Sequence, residues 1–253
     1  MIRRRPALTA RRCFFVDGGR SWEMRQSFRC KAVLFDFGGT LDSDGEHWLD
    51  RFYELYRQVG IDLPADEIKR VFYVADDLCC SDPEVDRMGL RPLMKHHVGL
   101  QFAALSLKNP EKAAEMVEGF CSKTERILQR NARLLRRLKP FYRLGLISNF
   151  YGNAAVLCDE AGLAESLEVI LDSMRIGVGK PDLEIFRIAL RRLDVEPAEA
   201  VFVGDSFERD IMPARQLGMQ TIWLKGPAPR LPENAGPVGC HISSLLEVET
   251  ILL

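Results

Sequence analysis

No apolar run in this chain reaches the 18 or so residues that a membrane-spanning helix requires, and no basic, apolar and cleavage regions follow one another at the N-terminus. Neither a spanning segment nor a secretory leader is therefore expected. The seven cysteines, at positions 13, 30, 79, 80, 121, 158 and 240, are odd in number and contain no C-x-x-C pair. That argues against a disulfide framework and a structural zinc site, and fits a reducing cytoplasm. A dominant sign of charge is also missing, with a formal net charge of −1. The even balance hides an asymmetry, because residues 1–30 hold eight Arg against Asp17 and Glu23. Setting these aside from the 35 basic and 36 acidic residues leaves 27 and 34, a net of −7 beside a tail of +6. A mildly acidic body does not read as a partner for nucleic acid or an anionic membrane.

What is present is ordinary for a folded chain of 253 residues, 47% hydrophobic and 28% charged, which has room for one sizeable core and a smaller insert. The Arg-rich segment 1–30, with a second possible start at Met24, reads as a solvated or spurious extension. From residue 31 strand and helix patterns alternate, which predicts a parallel sheet wound on both faces by helices. The apolar run Ala32-Val33-Leu34-Phe35 is the first strand, followed by 142–148, 167–172, 200–205 and 220–224. Helices are predicted at 152–161, 182–193 and 209–217. About a hundred residues separate the first two strands, too long for a simple crossover. Apolar residues at helical spacing from Trp48 to Val59, and helical patterns over 64–78, 90–107 and 110–128, predict a helical insert over 45–130. The core then comprises 31–44 and 131–253.

The first strand runs into Asp36-Phe37-Gly38-Gly39-Thr40, which puts a carboxylate where a buried strand meets a glycine turn. In an open α/β sheet that is where ligands bind. Three later segments end strands or precede helices in similar fashion: Leu146-Ile147-Ser148-Asn149, Gly177-Val178-Gly179-Lys180-Pro181, and Val201-Phe202-Val203-Gly204-Asp205 continuing to Asp210. Asp36 is the candidate nucleophile. Together the four segments resemble, in order, the motifs of the haloacid dehalogenase superfamily of hydrolases, over residues 31 to about 225.

The resemblance implies a Rossmann-like core with a helical cap of the type inserted after the first motif. It also implies a magnesium-dependent phosphatase acting on a small phosphorylated metabolite through an aspartyl-phosphate on Asp36. Ser148 would bind a phosphoryl oxygen, and Lys180 would offset negative charge on nucleophile and phosphoryl group. Gly39, Thr40 and Asn149 would contact substrate. Asp36, the Gly38 carbonyl and Asp205 would hold Mg²⁺, a hard cation that prefers oxygen ligands, with Asp210 behind them.

One departure stands out. The first motif is usually D-x-D-G-T, and Gly38 replaces the second aspartate, which in the family serves as general acid and base. Loss of such a group typically costs 10²- to 10⁴-fold. Asp42, Asp44 or His47 could swing in, the insert could supply an acid, or the leaving group could need little help. The departure also admits other readings: hydrolysis of a carbon–halogen bond or a phosphonate, the latter with Lys69 or Lys95 as Schiff base, or a weakened binding or regulatory protein. Within the insert, Arg91, Lys95, His96 and His97 are candidates to line its face over the site, while Cys79-Cys80 and His96-His97 are poorly placed to chelate a metal.

Overall fold

The computed structural model describes residues 11–17, 20–26, 30–226 and 240–253. The remainder of the predicted extension, residues 1–10, 18–19 and 27–29, lies outside them. In the extension, β1 (Arg11–Asp17) and β2 (Arg20–Gln26) form an antiparallel pair. The chain continues through β3 (Ala32–Phe35), four helices α1 (Trp48–Gln58), α2 (Ala65–Ser81), α3 (Leu90–Ala104) and α4 (Pro110–Leu138), and then β4 (Arg143–Ser148). Helix α5 (Ala154–Glu160), β5 (Val169–Asp172), α6 (Ser173–Ile176), α7 (Leu183–Arg192), β6 (Ala200–Gly204), α8 (Met212–Gln216), β7 (Gln220–Leu224), β8 (Cys240–Ile242) and α9 (Glu247–Leu252) complete it.

The eight strands form one sheet in the order β2-β1-β8-β7-β6-β3-β4-β5. From β8 to β5 all neighbours are parallel, and β1 joins β8 in antiparallel fashion through Phe14 and His241. Strand β3 is central and apolar throughout because both its faces are covered. Val33 and Phe35 enter the larger core cluster with Leu144, Leu146, Val201 and Val203, while Ala32 and Leu34 enter a second with Ile185, Phe186 and Phe202. The two-residue period of the strand thus feeds two helical layers.

The order also fixes where a site can form. After β3 the chain moves outward on one side to β4 and β5, then returns to β6, β7 and β8 on the other. The reversal opens a crevice at the carboxyl ends of β3, β4 and β6. Phe35 stands level with Leu146 and Val203, so the residues that leave the three strands emerge together.

Helices α1 to α4 share the larger core cluster, where Phe52, Phe72, Leu93 and Phe120 pack with residues of the sheet. Asn109 accepts from the Lys112 amide at 3.0 Å and Pro110 opens α4, whose 29 residues run unbroken past position 130. The long helix is therefore shared between the insertion and the sheet layer: Asn131, in its C-terminal third, donates to the Leu41 carbonyl at 2.7 Å.

Candidate active site

The turn after β3 is built to crowd carboxylates together. Gly39 has φ of +88°, and a Cβ there would lie 2.4 Å from an Asp205 oxygen. Only glycine meets both demands. A Cβ on Gly204 would likewise come within 2.4 Å of Asp210. These two glycines let Asp36, Asp205 and Asp210 present oxygens within 4.8 Å of one another.

Lys180 enters this cluster from the loop before α7. Its Nζ donates to Asp36 at 2.5 Å and to Asp210 at 2.7 Å, and its side chain is only 3% exposed. Thr40 is fully buried, with its hydroxyl 3.2 Å from carboxylate oxygens of both Asp36 and Asp205. Asp210 also accepts from the Ser206 amide at 3.0 Å. Ser148, at the end of β4, lines the same cavity, which has a volume of about 480 Å³.

The electrostatics follow from three carboxylates facing one ammonium. Burial pushes the Asp205 carboxyl well above its ordinary range, and the neighbouring charges of Asp36 and Asp210 add to the effect. Burial also raises Asp210, to about 6, although Lys180 and the Ser206 amide pull the other way. For Lys180 burial works against the charge, but Asp210 and Asp36 outweigh it and hold the ammonium in its protonated form. The cluster is short of positive charge. An all-oxygen donor set with surplus negative charge suits a hard divalent cation, and thus fits magnesium. Among the described residues no other group of three His, Cys, Asp or Glu side chains converges in this way.

Residues expected at substrate also have structural partners, and of them Asn149 lines the cavity. The Gly39 amide donates to Asp42 at 2.8 Å, so it organises the turn. Thr40 positions two carboxylates from beneath. The Asn149 side chain accepts from the Lys180 amide at 2.8 Å and donates to the Lys180 carbonyl at 2.7 Å, a two-point clamp that aims the lysine. Asp172, which sequence reasoning did not single out, accepts from the amides of Gly152, Ala154 and Met174 and fixes the loop after Ser148. Its signal is weak: one Asp at the end of a predicted strand.

The candidate replacement acids also resolve. Asp42 is fully buried between the Gly39 amide and the Trp48 indole, and burial raises its pKa. Asp44 accepts from Arg130 at 3.1 Å and from the Leu245 amide at 2.6 Å, and so ties α4 to the C-terminal segment. Neither lines the cavity. His47 does, together with Leu49, Asp50 and Tyr73 from the insertion and Glu208 and Arg209 from the core.

In the insertion, Arg91 lies away from the cavity and pairs with Glu118 and Glu125 on the exterior. Lys95 and His96 line a separate surface cleft, and Lys69 is exposed. His97 is buried against Asp76 and Gln101. None of the four expected to face substrate does so.

The comparisons with known proteins agree with this architecture. A phosphoserine phosphatase of Thermus thermophilus is 34% identical over 131 residues, 49% of this chain and 52% of that protein. A glyceraldehyde 3-phosphate phosphatase of Methanocaldococcus jannaschii is 41% identical over 66 residues, 26% of this chain and 29% of that one. The chain thus spans about half the length, or less, of these curated relatives. A solved dehalogenase with an intermediate bound superposes with a TM-score of 0.60 over 90% of this chain and 99% of its own, at 18% identity, which shows a common fold. A family model described as haloacid dehalogenase-like hydrolase matches residues 30–218. Strand-end carboxylates, the inserted helices and that match over most of the sequence converge: this chain belongs to the haloacid dehalogenase-like hydrolases.

Proposed function

We propose that the chain is a magnesium-dependent phosphatase of a small phosphorylated metabolite, with residues 45–130 acting as a cap over the strand ends. The observation that carries the reading is the buried contact of Lys180 with both Asp36 and Asp210 beside Asp205. Attack on phosphorus needs a nucleophilic carboxylate and positive charge where negative charge gathers. Asp36 supplies the first. Lys180, aimed by the Asn149 clamp, supplies part of the second. Ser148, which lines the cavity, would donate its hydroxyl to a phosphoryl oxygen. Asp36, the Gly38 carbonyl and Asp205 would hold Mg²⁺, which when bound offsets phosphoryl charge that one lysine cannot. The in-line attack of Asp36 forms an aspartyl-phosphate, which water then hydrolyses. Both curated relatives named above are phosphatases of small phosphate esters, which favours the phosphatase over the dehalogenase reading.

The phosphonate alternative needs a lysine other than Lys180 at the site, and among the described residues the cavity has none. The test is phosphate release from a panel of phosphorylated metabolites with and without magnesium. Wild type is expected to turn over part of the panel only with magnesium, and Asp36→Asn to lose at least about 10³-fold in rate. Appreciable turnover by Asp36→Asn would rule the mechanism out.

A further inference from the structure

We propose that the mouth of this cavity selects phosphate esters whose alcohol carries an ammonium group, and that Asp50 and Glu208 are the residues that read it. The inference rests on the phosphatase reading and narrows its substrate class.

The cavity has a buried end and an exposed one. At the buried end lie Asp36, Lys180 and Asp210, with Asp205 beside them. The exposed end is made by both parts of the chain: His47, Asp50 and Tyr73 come from the insertion, Glu208 and Arg209 from the core. A phosphoryl group seated at Asp36 leaves its alcohol among these side chains.

Asp50 stands in the first turn of α1, and Glu208 in the turn Phe207–Ile211 that follows β6. The start of a helix favours a carboxylate but does not neutralise it. Neither side chain makes a hydrogen bond or an ion pair with any described residue. The acidic residues just before Asp50 differ, since Asp44 pairs with Arg130 at 3.1 Å and Glu46 with Lys123 at 2.6 Å. Asp50 and Glu208 therefore bring uncompensated charge to the cavity.

Charge balance points to their partner. Five carboxylates line the cavity against two cations, Lys180 and Arg209. His47 adds no charge, because its Nδ1 accepts from the Leu49 amide at 3.1 Å and the ring is neutral. A divalent cation at the strand ends leaves the lining one negative charge in excess, and a phosphate monoester brings about two more near neutral pH. A neutral or anionic alcohol leaves that excess standing, whereas an ammonium relieves it. Asp36 and Asp210 are bound to Lys180, and Asp205 to Thr40, so the carboxylates left to meet the ammonium are Asp50 and Glu208. Arg209 alone would favour an anionic alcohol, but two carboxylates outweigh one guanidinium.

Tyr73 adds a surface suited to the same group. It is 44% exposed although aromatic, and its ring meets that of Phe72 edge-on at 5.3 Å. The face of a tyrosine ring attracts cations, quaternary ammonium among them. Leu49, Phe207 and Trp223 supply apolar wall for the carbon chain that joins ammonium to phosphate.

The test is steady-state kinetics on the full chain with magnesium, using ethanolamine phosphate, choline phosphate, propyl phosphate and phosphoglycolate, for wild type, Asp50→Asn, Glu208→Gln and the double variant. An ammonium also alters the intrinsic reactivity of the ester, so the deciding quantity is how each substitution moves the ratio of kcat/KM between ethanolamine phosphate and propyl phosphate. Each single substitution is expected to lower that ratio about three- to fivefold, and the double variant about tenfold, chiefly through KM. The ratio of phosphoglycolate to propyl phosphate should rise in the same variants. Added salt should lower the ethanolamine ratio of wild type, and Tyr73→Leu should lower the choline ratio about threefold. An ethanolamine ratio that neither carboxylate substitution moves, or a wild type that prefers phosphoglycolate, would overturn the inference and leave the phosphatase reading standing. Release from the wider metabolite panel but from none of these four esters would do the same, and release from neither would overturn the phosphatase reading itself. If Asp50→Asn fails to fold, Glu208→Gln and the salt dependence of wild type decide the matter.

Discussion

At the strand ends Asp36, Asp205 and Asp210 crowd around the single ammonium of Lys180, whereas inside the helical insertion a second polar set is matched donor for acceptor. There Tyr56 donates to Gln101 at 3.0 Å, Gln101 donates to Nδ1 of His97 at 2.9 Å, and His97 Nε2 lies 3.1 Å from Asp76, which also accepts from Tyr151. Both sets bury polar groups, yet the first gathers three carboxylates around one ammonium, whereas in the second the one carboxylate, Asp76, meets two neutral partners, His97 and Tyr151. A matched set of this kind holds structure together, since each group has exchanged water for a partner. An unmatched one persists where a ligand completes it. The contrast separates the site from the scaffold more sharply than burial does, because His97 and Lys180 are both almost fully buried.

The largest effect expected from breaking this contrast is that of Lys180→Ala. It strands Asp36 and Asp210 without a counter-charge, and should cost about 3–5 kcal/mol in urea unfolding with chelator present. Magnesium should restore part of the loss, since it supplies positive charge to the same carboxylates. Unchanged stability would mean that the lysine does not hold the cluster. A smaller effect is expected in the matched set, where Tyr151→Phe removes one donor to Asp76 and should cost about 1 kcal/mol. That cost should be the same with and without magnesium. A magnesium-dependent cost for Tyr151→Phe would erase the distinction between the two regions.

Much of the site was legible because its parts are strand ends. Buried strands announce themselves as short apolar runs, and the residue that follows each run is a turn position; Asp36 was read in that way, while Ser148 and Asp205 were singled out because their strand ends resemble the family's later motifs. Lys180, in a glycine loop before a helix, was singled out because that placement resembles the family's third motif. The jobs of Asp44 and Asn149 were not legible because their partners, Leu245 and the Lys180 main chain, lie far along the sequence, and that of Asp42 because the loop that folds the Trp48 indole back onto it has no period to read. In the fold, β8 has three residues, too few for a period to show. Strands β1 and β2 read as RRCFFVD and RSWEMRQ, in which arginines mask any alternation, and this segment was expected to be a solvated extension. The insert boundary expected near 130 falls within α4, since a helical period gives no sign of where one layer hands over to the next.

The central claim, that the strand-end cluster is an unmatched charge set completed by a divalent cation, is tested most directly by thermal unfolding of wild type and Asp205→Asn across pH, with and without magnesium. The raised pKa of Asp205 means that the folded chain holds this proton more readily than the unfolded one. Its ionised carboxylate therefore costs stability above the folded pKa, and the cost fades as pH falls through that value towards 3.8. Asp205→Asn should accordingly stabilise the metal-free chain near neutral pH and lose that advantage in acid. Magnesium at about 100 times its Kd should stabilise wild type by about 2.7 kcal/mol and Asp205→Asn much less. A wild type whose melting is indifferent to magnesium, together with an Asp205→Asn variant no more stable than it at neutral pH, would contradict the account.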